Sequence, residues 1–303
     1  MNSIFINAGA DELSAYLDEP DAALIVRPAE FWEDEYLASV GVKEEEIGDL
    51  LPWDSVSKKL RFRTGELTII GGENNCGKSF LVNQFVLGLA NQDKKSLVAS
   101  FEMKPLETLK RMTCQFYKRR SFSEISLADA QEFMKFIKGT VWIYDQIGRV
   151  EKRILMAIIR WSKAKLSIDH AWIDSLTMLT GGSEDLGGQK EVIQYLQELA
   201  KDLGLGVHLV AHTKKPEKGQ TRASKFSISG TADISNLADN VILMSNENNE
   251  GDTPPEPGEP DIWIRVVKNR HGEFKGSIPL FKINGTFCLS DNSSMRDPDR
   301  GVI

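Results

Sequence analysis

The stretch TIIGGENNCGKSF, Thr68 to Phe80, constrains the fold of this chain more than any other part of it. A β-branched run breaks into glycine and polar residues, then resumes at once as KSFLVNQFVLGLANQ, which reads as an amphipathic helix. A strand that turns directly into a helix through Gly72, Glu73, Asn74, Asn75, Cys76 and Gly77, with Lys78 and Ser79 next, fits the phosphate-loop pattern GxxxxGK(S/T). Glycine lets backbone N–H groups curl around phosphate oxygens, and the helix N-terminus behind them adds positive potential. Lys78 supplies a cation for the outer phosphates, and the Ser79 hydroxyl suits Mg²⁺. Gly72 through Phe80 are therefore read as nucleotide contacts, with ATP or another NTP and Mg²⁺ as the expected cofactors.

The same strand-then-helix unit repeats along the chain. ELTIIGG, SLVASFE, VWIYD, HAWIDSL and VHLVAH read as strands, and PLETLKRMTCQFYKRR, EKRILMAIIRWSKA and QKEVIQYLQELAKDLG read as helices, the first with basic residues at its end. Alternation of this kind needs parallel strands joined by crossover helices, so the expected fold class is α/β, a mostly parallel twisted sheet flanked by helices. IWIRVV and SIPLFKI flank NRHGEFKG and predict a β-hairpin at the C-terminal end of the sheet.

A phosphate loop by itself binds nucleotide; hydrolysis also needs a second oxygen ligand for the metal and a group that orients water. Asp174 ends the apolar run of HAWIDSL and Glu102 ends SLVASFE, and strand-end carboxylates on a parallel sheet project toward the edge that carries the loop. Asp174 is expected to hold Mg²⁺ with Ser79, and Glu102 to polarise the attacking water. His212, at the tip of VHLVAH, is either a γ-phosphate contact or a satisfied core histidine.

The formal charge of −7 is uneven: residues 1–50 hold 13 Asp or Glu against Arg27 and Lys43, which leaves the remainder at +4. That acidic segment has too few apolar residues for its own core and is read as an arm or linker, followed by an ATPase domain over 51–290 and a tail over 291–303. Residues 246–261, NENNEGDTPPEPGEPD, belong in a surface loop. No apolar run approaches the roughly 18 to 20 residues of a spanning helix, the N-terminus has no signal-peptide pattern, and Cys76, Cys114 and Cys288 form no CxxC pair. These features lead to the expectation of a cytoplasmic protein without a membrane partner, from a bacterium or a phage within one.

Taken together and in order, LPWDSVSKKLRFRTGELTIIGGENNCGKSF, SFEM, DHAWIDSL, LVAHTKKP, SISGTADISNLADNVILM and VKNRHGEFKG resemble the helicase domain of the replicative DnaB-like superfamily. The likeness is greatest to the branch that holds phage primase-helicases and the mitochondrial helicase Twinkle. It implies a RecA-like ATPase core assembled as a ring, usually a hexamer, with single-stranded DNA through the centre, 5′ to 3′ movement and unwinding of forked DNA. It also implies that His212 senses the γ-phosphate and that Arg270 is an arginine finger reaching the neighbouring subunit's nucleotide, with Lys268 beside it. Without the resemblance, KNRHGE is a charged hairpin turn.

The DNA-facing candidates follow from charge. HTKKPEKGQTRASKF carries Lys214, Lys215, Lys218, Arg222 and Lys225 against Glu217, and such cations suit backbone phosphates. Where many relatives have an Arg before the glycine of the segment Ile228 to Ala232, Ser229 stands here, which leaves more of the binding to the loop lysines. The first 50 residues hold no primase signature, so a primase, polymerase or loader is expected as a separate chain. The aromatic and aliphatic residues of FWEDEYLASV suit docking of the arm on an adjacent subunit, and its acid suits a basic partner or shielding of the channel. Two other functions fit the same fold: a recombination ATPase that does not unwind, and a regulatory nucleotide-binding scaffold. A water-activating Glu102 argues against the scaffold.

Overall fold

The computed structural model describes residues 14–16, 28–43, 47–182, 184–213, 236–245 and 259–289. Its helices are α1 (Glu33–Ser39), α2 (Asp54–Ser57), α3 (Lys78–Ala90), α4 (Pro105–Phe116), α5 (Leu127–Phe136), α6 (Lys152–Leu166) and α7 (Leu186–Leu203). Its strands are β1 (Leu67–Gly72), β2 (Ser96–Ser100), β3 (Val141–Ile143), β4 (His170–Asp174), β5 (Gly206–His212), β6 (Asn240–Ser245), β7 (Ile262–Asn269), β8 (Gly276–Ile283) and β9 (Thr286–Cys288).

These nine strands form one sheet in the order β3-β2-β4-β5-β1-β6-β7-β8-β9. The pairs from β3 through β6 are parallel, and β6–β7, β7–β8 and β8–β9 are antiparallel. This is the α/β architecture that the strand–helix alternation requires, with the hairpin expected around NRHGEFKG formed by β7 and β8. Among the described residues no helix is long and apolar enough to cross a membrane.

Successive side chains in a strand face opposite sides, and here both sides are covered. Ile70, Val98, Trp172, Val210 and Ile242 pack with α3, α4 and α5 on one side. Ile69, Leu97, Ile173, Leu209 and Leu243 pack with α6 and α7 on the other. Two expectations about helices change. α3 is not amphipathic: Leu81 through Ala90 are all buried, because Trp53, Phe62, α4 and β9 cover the side that an ordinary surface helix leaves wet. α4 stops at Phe116, so Lys118, Arg119 and Arg120 lie beyond the helix rather than in its last turn.

β9 is fastened to α3 by a buried amide clamp. Gln84 Nε2 donates to Phe287 O at 2.8 Å, Phe287 N donates to Gln84 Oε1 at 2.9 Å, and Trp53 Nε1 donates to the same carbonyl at 3.1 Å. Losing Gln84 would leave the buried Phe287 N–H without its acceptor, at roughly 1–3 kcal/mol, while the Phe287 carbonyl would keep its bond from Trp53.

A second buried polar chain runs through the centre. His208 is stacked on Trp172 with 3.8 Å between ring centroids, its Nε2 lies 3.0 Å from His170 Nδ1, and His170 Nε2 lies 2.9 Å from Asp49 Oδ2. Burial, reinforced by His170, holds the His208 imidazole well below its ordinary value. Burial pushes Asp49 up, but the hydrogen bonds from His170 and Lys94 outweigh it and hold the carboxyl below its usual range. His208 is thus neutral in the fold, whereas in the unfolded chain it takes up a proton near pH ~6.5. A depressed histidine lets the unfolded state bind the extra proton, so its contribution to stability is lost as pH falls below about 6.5. The thermal midpoint should therefore decline from pH 8 to pH 5, and His208→Phe should flatten that decline; an unchanged slope in the variant would assign the pH dependence to other groups.

Candidate active site

The parallel strands β2, β4, β5 and β1 end on one edge of the sheet, and the loop that follows β1 turns there into α3. The turn depends on two left-handed residues, Asn75 at φ 64° and Gly77 at φ 91°, the second forming the N-cap of α3. Gly72 is required for a different reason. A Cβ built there would lie 2.7 Å from Cys76 Sγ and 3.0 Å from the carbonyl of Met244 on the neighbouring strand. Cys76 is therefore a packing residue beneath the loop, and burial pushes its thiol up.

Lys78 is buried, and its Nζ donates to the carbonyls of Gly72 at 2.9 Å and Glu73 at 2.6 Å. The ammonium is thus held under the loop, facing the concavity. Ser79 Oγ donates to Asp174 Oδ2 at 2.5 Å, which brings together the two oxygen groups expected to hold the metal. Asp174 is 6% exposed. Burial pushes its carboxyl above the usual range and the negative Glu102 adds to this, while Ser79 and Lys78 act in the opposite direction. A divalent cation beside it would favour the ionised form.

Glu102 lies just past β2, on the same edge. Ser175 Oγ donates to its Oε1 at 3.0 Å, and His212 Nε2 is 3.8 Å from that same oxygen. Burial lowers the His212 imidazole and the Lys78 cation lowers it further, outweighing the upward pull of Glu102, so the site favours the neutral ring. Its Nδ1 is buried with no hydrogen-bond partner among the described residues, as is Ser100 Oγ at the end of β2. Asn74, Asn75, Gly77, Lys78, Ser79, Phe80, Glu102, Asp174 and His212 line one open cleft of about 980 Å³. Ser100, Arg111, Met178 and Gly148 line it as well, and the sequence reading did not include them. Ser100 carried a usable signal, standing two residues before Glu102 at the end of the same strand.

Arg270 and Lys268 are not in this cleft. They lie at the opposite end of the sheet, where Lys268 is paired with Val241 at the start of β6 and Arg270 follows Asn269 at the end of β7. Arg270 Nη1 is 2.7 Å from Oδ1 of Asp239, which is 2% exposed and whose Oδ2 accepts the backbone N–H of Leu67 at the start of β1. Lys268 Nζ donates to the carbonyl of Asn236 at 2.8 Å. The length of β1, about 17 Å at 3.3 Å per residue, separates this end from the phosphate loop. Lys214, Lys215, Lys218, Arg222 and Lys225, together with Ser229 and the tail over 291–303, lie outside the described residues.

A family model for the DnaB-like helicase C terminal domain matches residues 57–285. The DNA helicase/primase of Enterobacteria phage T3 is 23% identical over 231 residues, which cover 70% of this chain and 40% of the phage protein. The chain thus spans less than half the length of that relative. Among solved structures, one of an isolated ATPase domain matches with a TM-score of 0.68 at 15% identity, covering 86% of this chain and 96% of that one. A DnaB-like replicative helicase, solved to show its interactions with primase, matches with a TM-score of 0.72 at 14% identity, covering 86% and 68% respectively.

The crowding at Gly72 gives a direct test of the loop. Gly72→Ala should weaken binding of a fluorescent ADP by about tenfold or more, since each tenfold is about 1.4 kcal/mol and the Met244 carbonyl is held in the sheet. Adding Cys76→Ala, which removes the 2.7 Å contact, should recover part of the loss. Wild-type affinity in the single variant would show that the loop accommodates the methyl group.

Proposed function

The chain belongs to the DnaB-like helicase C-terminal domain family, and from that membership we propose that it is the ATP-driven motor of a replicative DNA helicase, working as a ring on single-stranded DNA. The observation that carries the reading is the division of groups between the two ends of one sheet. Lys78, Ser79, Asp174, Glu102 and His212 share the cleft, while Arg270 and Lys268 lie a strand length away. An arginine at that distance cannot serve its own nucleotide, but it can serve a neighbour's when subunits pack head to tail in a ring.

The cleft suits a Mg²⁺-nucleotide. Ser79 Oγ and Asp174 Oδ2, 2.5 Å apart, are hard oxygen donors of the kind Mg²⁺ takes, and they would hold the ion beside the phosphates. Bound there, Mg²⁺ would neutralise charge on the β- and γ-phosphates. Lys78 would exchange its two carbonyl partners for phosphate oxygens, Glu102 would orient the attacking water, and His212 would contact the γ-phosphate. The neighbour's Arg270 would complete the charge stabilisation, a contribution of about 10³ to 10⁵ in rate in other NTPases. DNA would pass through the ring on the lysines and arginine of 214–225, moving 5′ to 3′, with priming supplied by another chain.

The arm has a part in the same reading. Residues 1–50 would link subunits, 51–290 would hold the motor and 291–303 would form a tail. Phe31, Trp32, Tyr36, Leu37 and Val40 are all exposed on the short segment that includes α1, which buries none of its described residues against its own chain. A neighbouring copy of the motor domain would cover them.

Hydrolysis measured with and without single-stranded DNA, together with forked-duplex unwinding, tests the proposal. Lys78→Ala and Arg270→Ala should each lose about 10³-fold in rate, and mixing the two should restore activity, because an intact site on one subunit then meets an intact finger on another. Arg270→Lys, which keeps a charge beside Asp239, separates loss of the finger from loss of the ion pair. No recovery on mixing would overturn the finger in trans, and DNA-stimulated hydrolysis without unwinding would favour the recombination ATPase. Deleting residues 1–45 should lower the oligomeric state seen by mass photometry; an unchanged ring would remove the docking role of the arm.

A further inference from the structure

Glu102 is an awkward residue on which to rest a reaction. Its side chain is 43% exposed, it stands beyond the end of β2, and the negative charge of Asp174 is close enough to repel it. A solvated glutamate samples several rotamers, and like charge drives it away from the place where an attacking water must sit. The backbone on either side is anchored: Phe101 N donates to Asp174 O at 2.9 Å, and Gly148 N donates to Phe101 O at 2.9 Å. What remains to be set is the carboxylate itself.

We propose that Ser175 and Thr177 form a two-hydroxyl relay that holds the Glu102 carboxylate in its working orientation, which makes both of them positioning residues for water activation. The inference rests on the reading of Glu102 as the water-activating group. Ser175 is 0% exposed, so its hydroxyl is a fixed point rather than a surface rotor. Its Oγ donates to Glu102 Oε1 at 3.0 Å and lies 2.9 Å from Thr177 Oγ1. A serine hydroxyl has one proton, and that proton is committed to Glu102, so Thr177 is the donor in the second bond. The chain therefore has a direction, Thr177 to Ser175 to Glu102, and each bond polarises the next.

The geometry also selects which oxygen works. Oε1 receives the Ser175 hydroxyl and faces His212, while Oε2 has no hydrogen bond among the described residues. The relay thus presents Oε2 to water. The same dipeptide sets the distance between the two acids, since Asp174 accepts the Ser79 hydroxyl and Ser175, the next residue, grips Glu102. Metal-side acid and base are fixed relative to each other through one peptide unit.

The test uses the full chain and its DNA-stimulated ATP hydrolysis. Ser175→Ala should lower kcat by about tenfold, a part of the 10²- to 10⁴-fold that a placed base contributes, with KM for ATP, fluorescent ADP affinity and the thermal midpoint near wild type. Thr177→Val keeps the shape of the side chain and removes its proton; kcat should fall about threefold, a smaller loss because the Ser175 bond survives. The decisive measurement is a cycle with Glu102→Gln. If the hydroxyl acts through Glu102, adding Ser175→Ala to Glu102→Gln should cost less than twofold, whereas a packing role would repeat the tenfold loss. A repeated loss, or a Ser175→Ala enzyme with wild-type kcat, overturns the relay alone. Wild-type turnover in Glu102→Gln overturns the reading of Glu102 as the base, and the relay with it.

Discussion

The hydrogen bond from Ser79 to Asp174, residues 95 apart in sequence, joins the first turn of α3 to the end of β4, which β5 separates in the sheet from β1, the strand that leads into α3. It closes at 2.5 Å only because β4, β5 and β1 are parallel and in register, so that their carboxyl ends share an edge. Slipping one strand by a single residue would turn its inward side chains outward and carry the carboxylate away from the hydroxyl. The rest of the cleft follows from that alignment. Lys78 precedes Ser79 on the same helix, Ser175 follows Asp174, and Glu102 is drawn in by Ser175.

A parallel sheet has two chemically different ends, and this chain uses both. The carboxyl ends of the strands carry the phosphate loop and the acids. The opposite end carries Asp239, which accepts the Leu67 N–H and pairs with Arg270. A buried carboxylate without a partner is strongly destabilising, so Arg270 stabilises its own chain by pairing with one. Under the ring reading the same guanidinium reaches a neighbour, and its ion pair with Asp239 then holds it extended from a rigid support. Interior packing is dense enough to hold both ends in fixed relation: α3 is enclosed on every side, and the Gln84 clamp binds it to β9.

How far the sequence could be read depended on whether a feature is local. The phosphate loop was legible because strand, glycines and helix are adjacent, and the hairpin of β7 and β8 because turn and strands are adjacent. α5 escaped notice because LADAQEFMKF interleaves four polar residues with its apolar ones and buries only Phe133, and β9 because three residues make no pattern. α3 was expected to be amphipathic because its enclosing partners, Trp53, Phe62 and Phe287, come from distant parts of the chain.

What the sequence determined by itself was therefore the kind of fold and the kind of chemistry: alternating periods require a mostly parallel sheet, and GxxxxGKS after a strand requires a phosphate cradle. The tertiary structure decided which residues meet. Ser100 enters the cleft, Ser175 and Thr177 stand in line behind Glu102, and Arg270 is held apart from them all. The physical reason is that a hydroxyl's hydrogen bond has a reach of about 3 Å. Whether two groups come within that reach is set by sheet register and strand order, which a linear pattern does not contain.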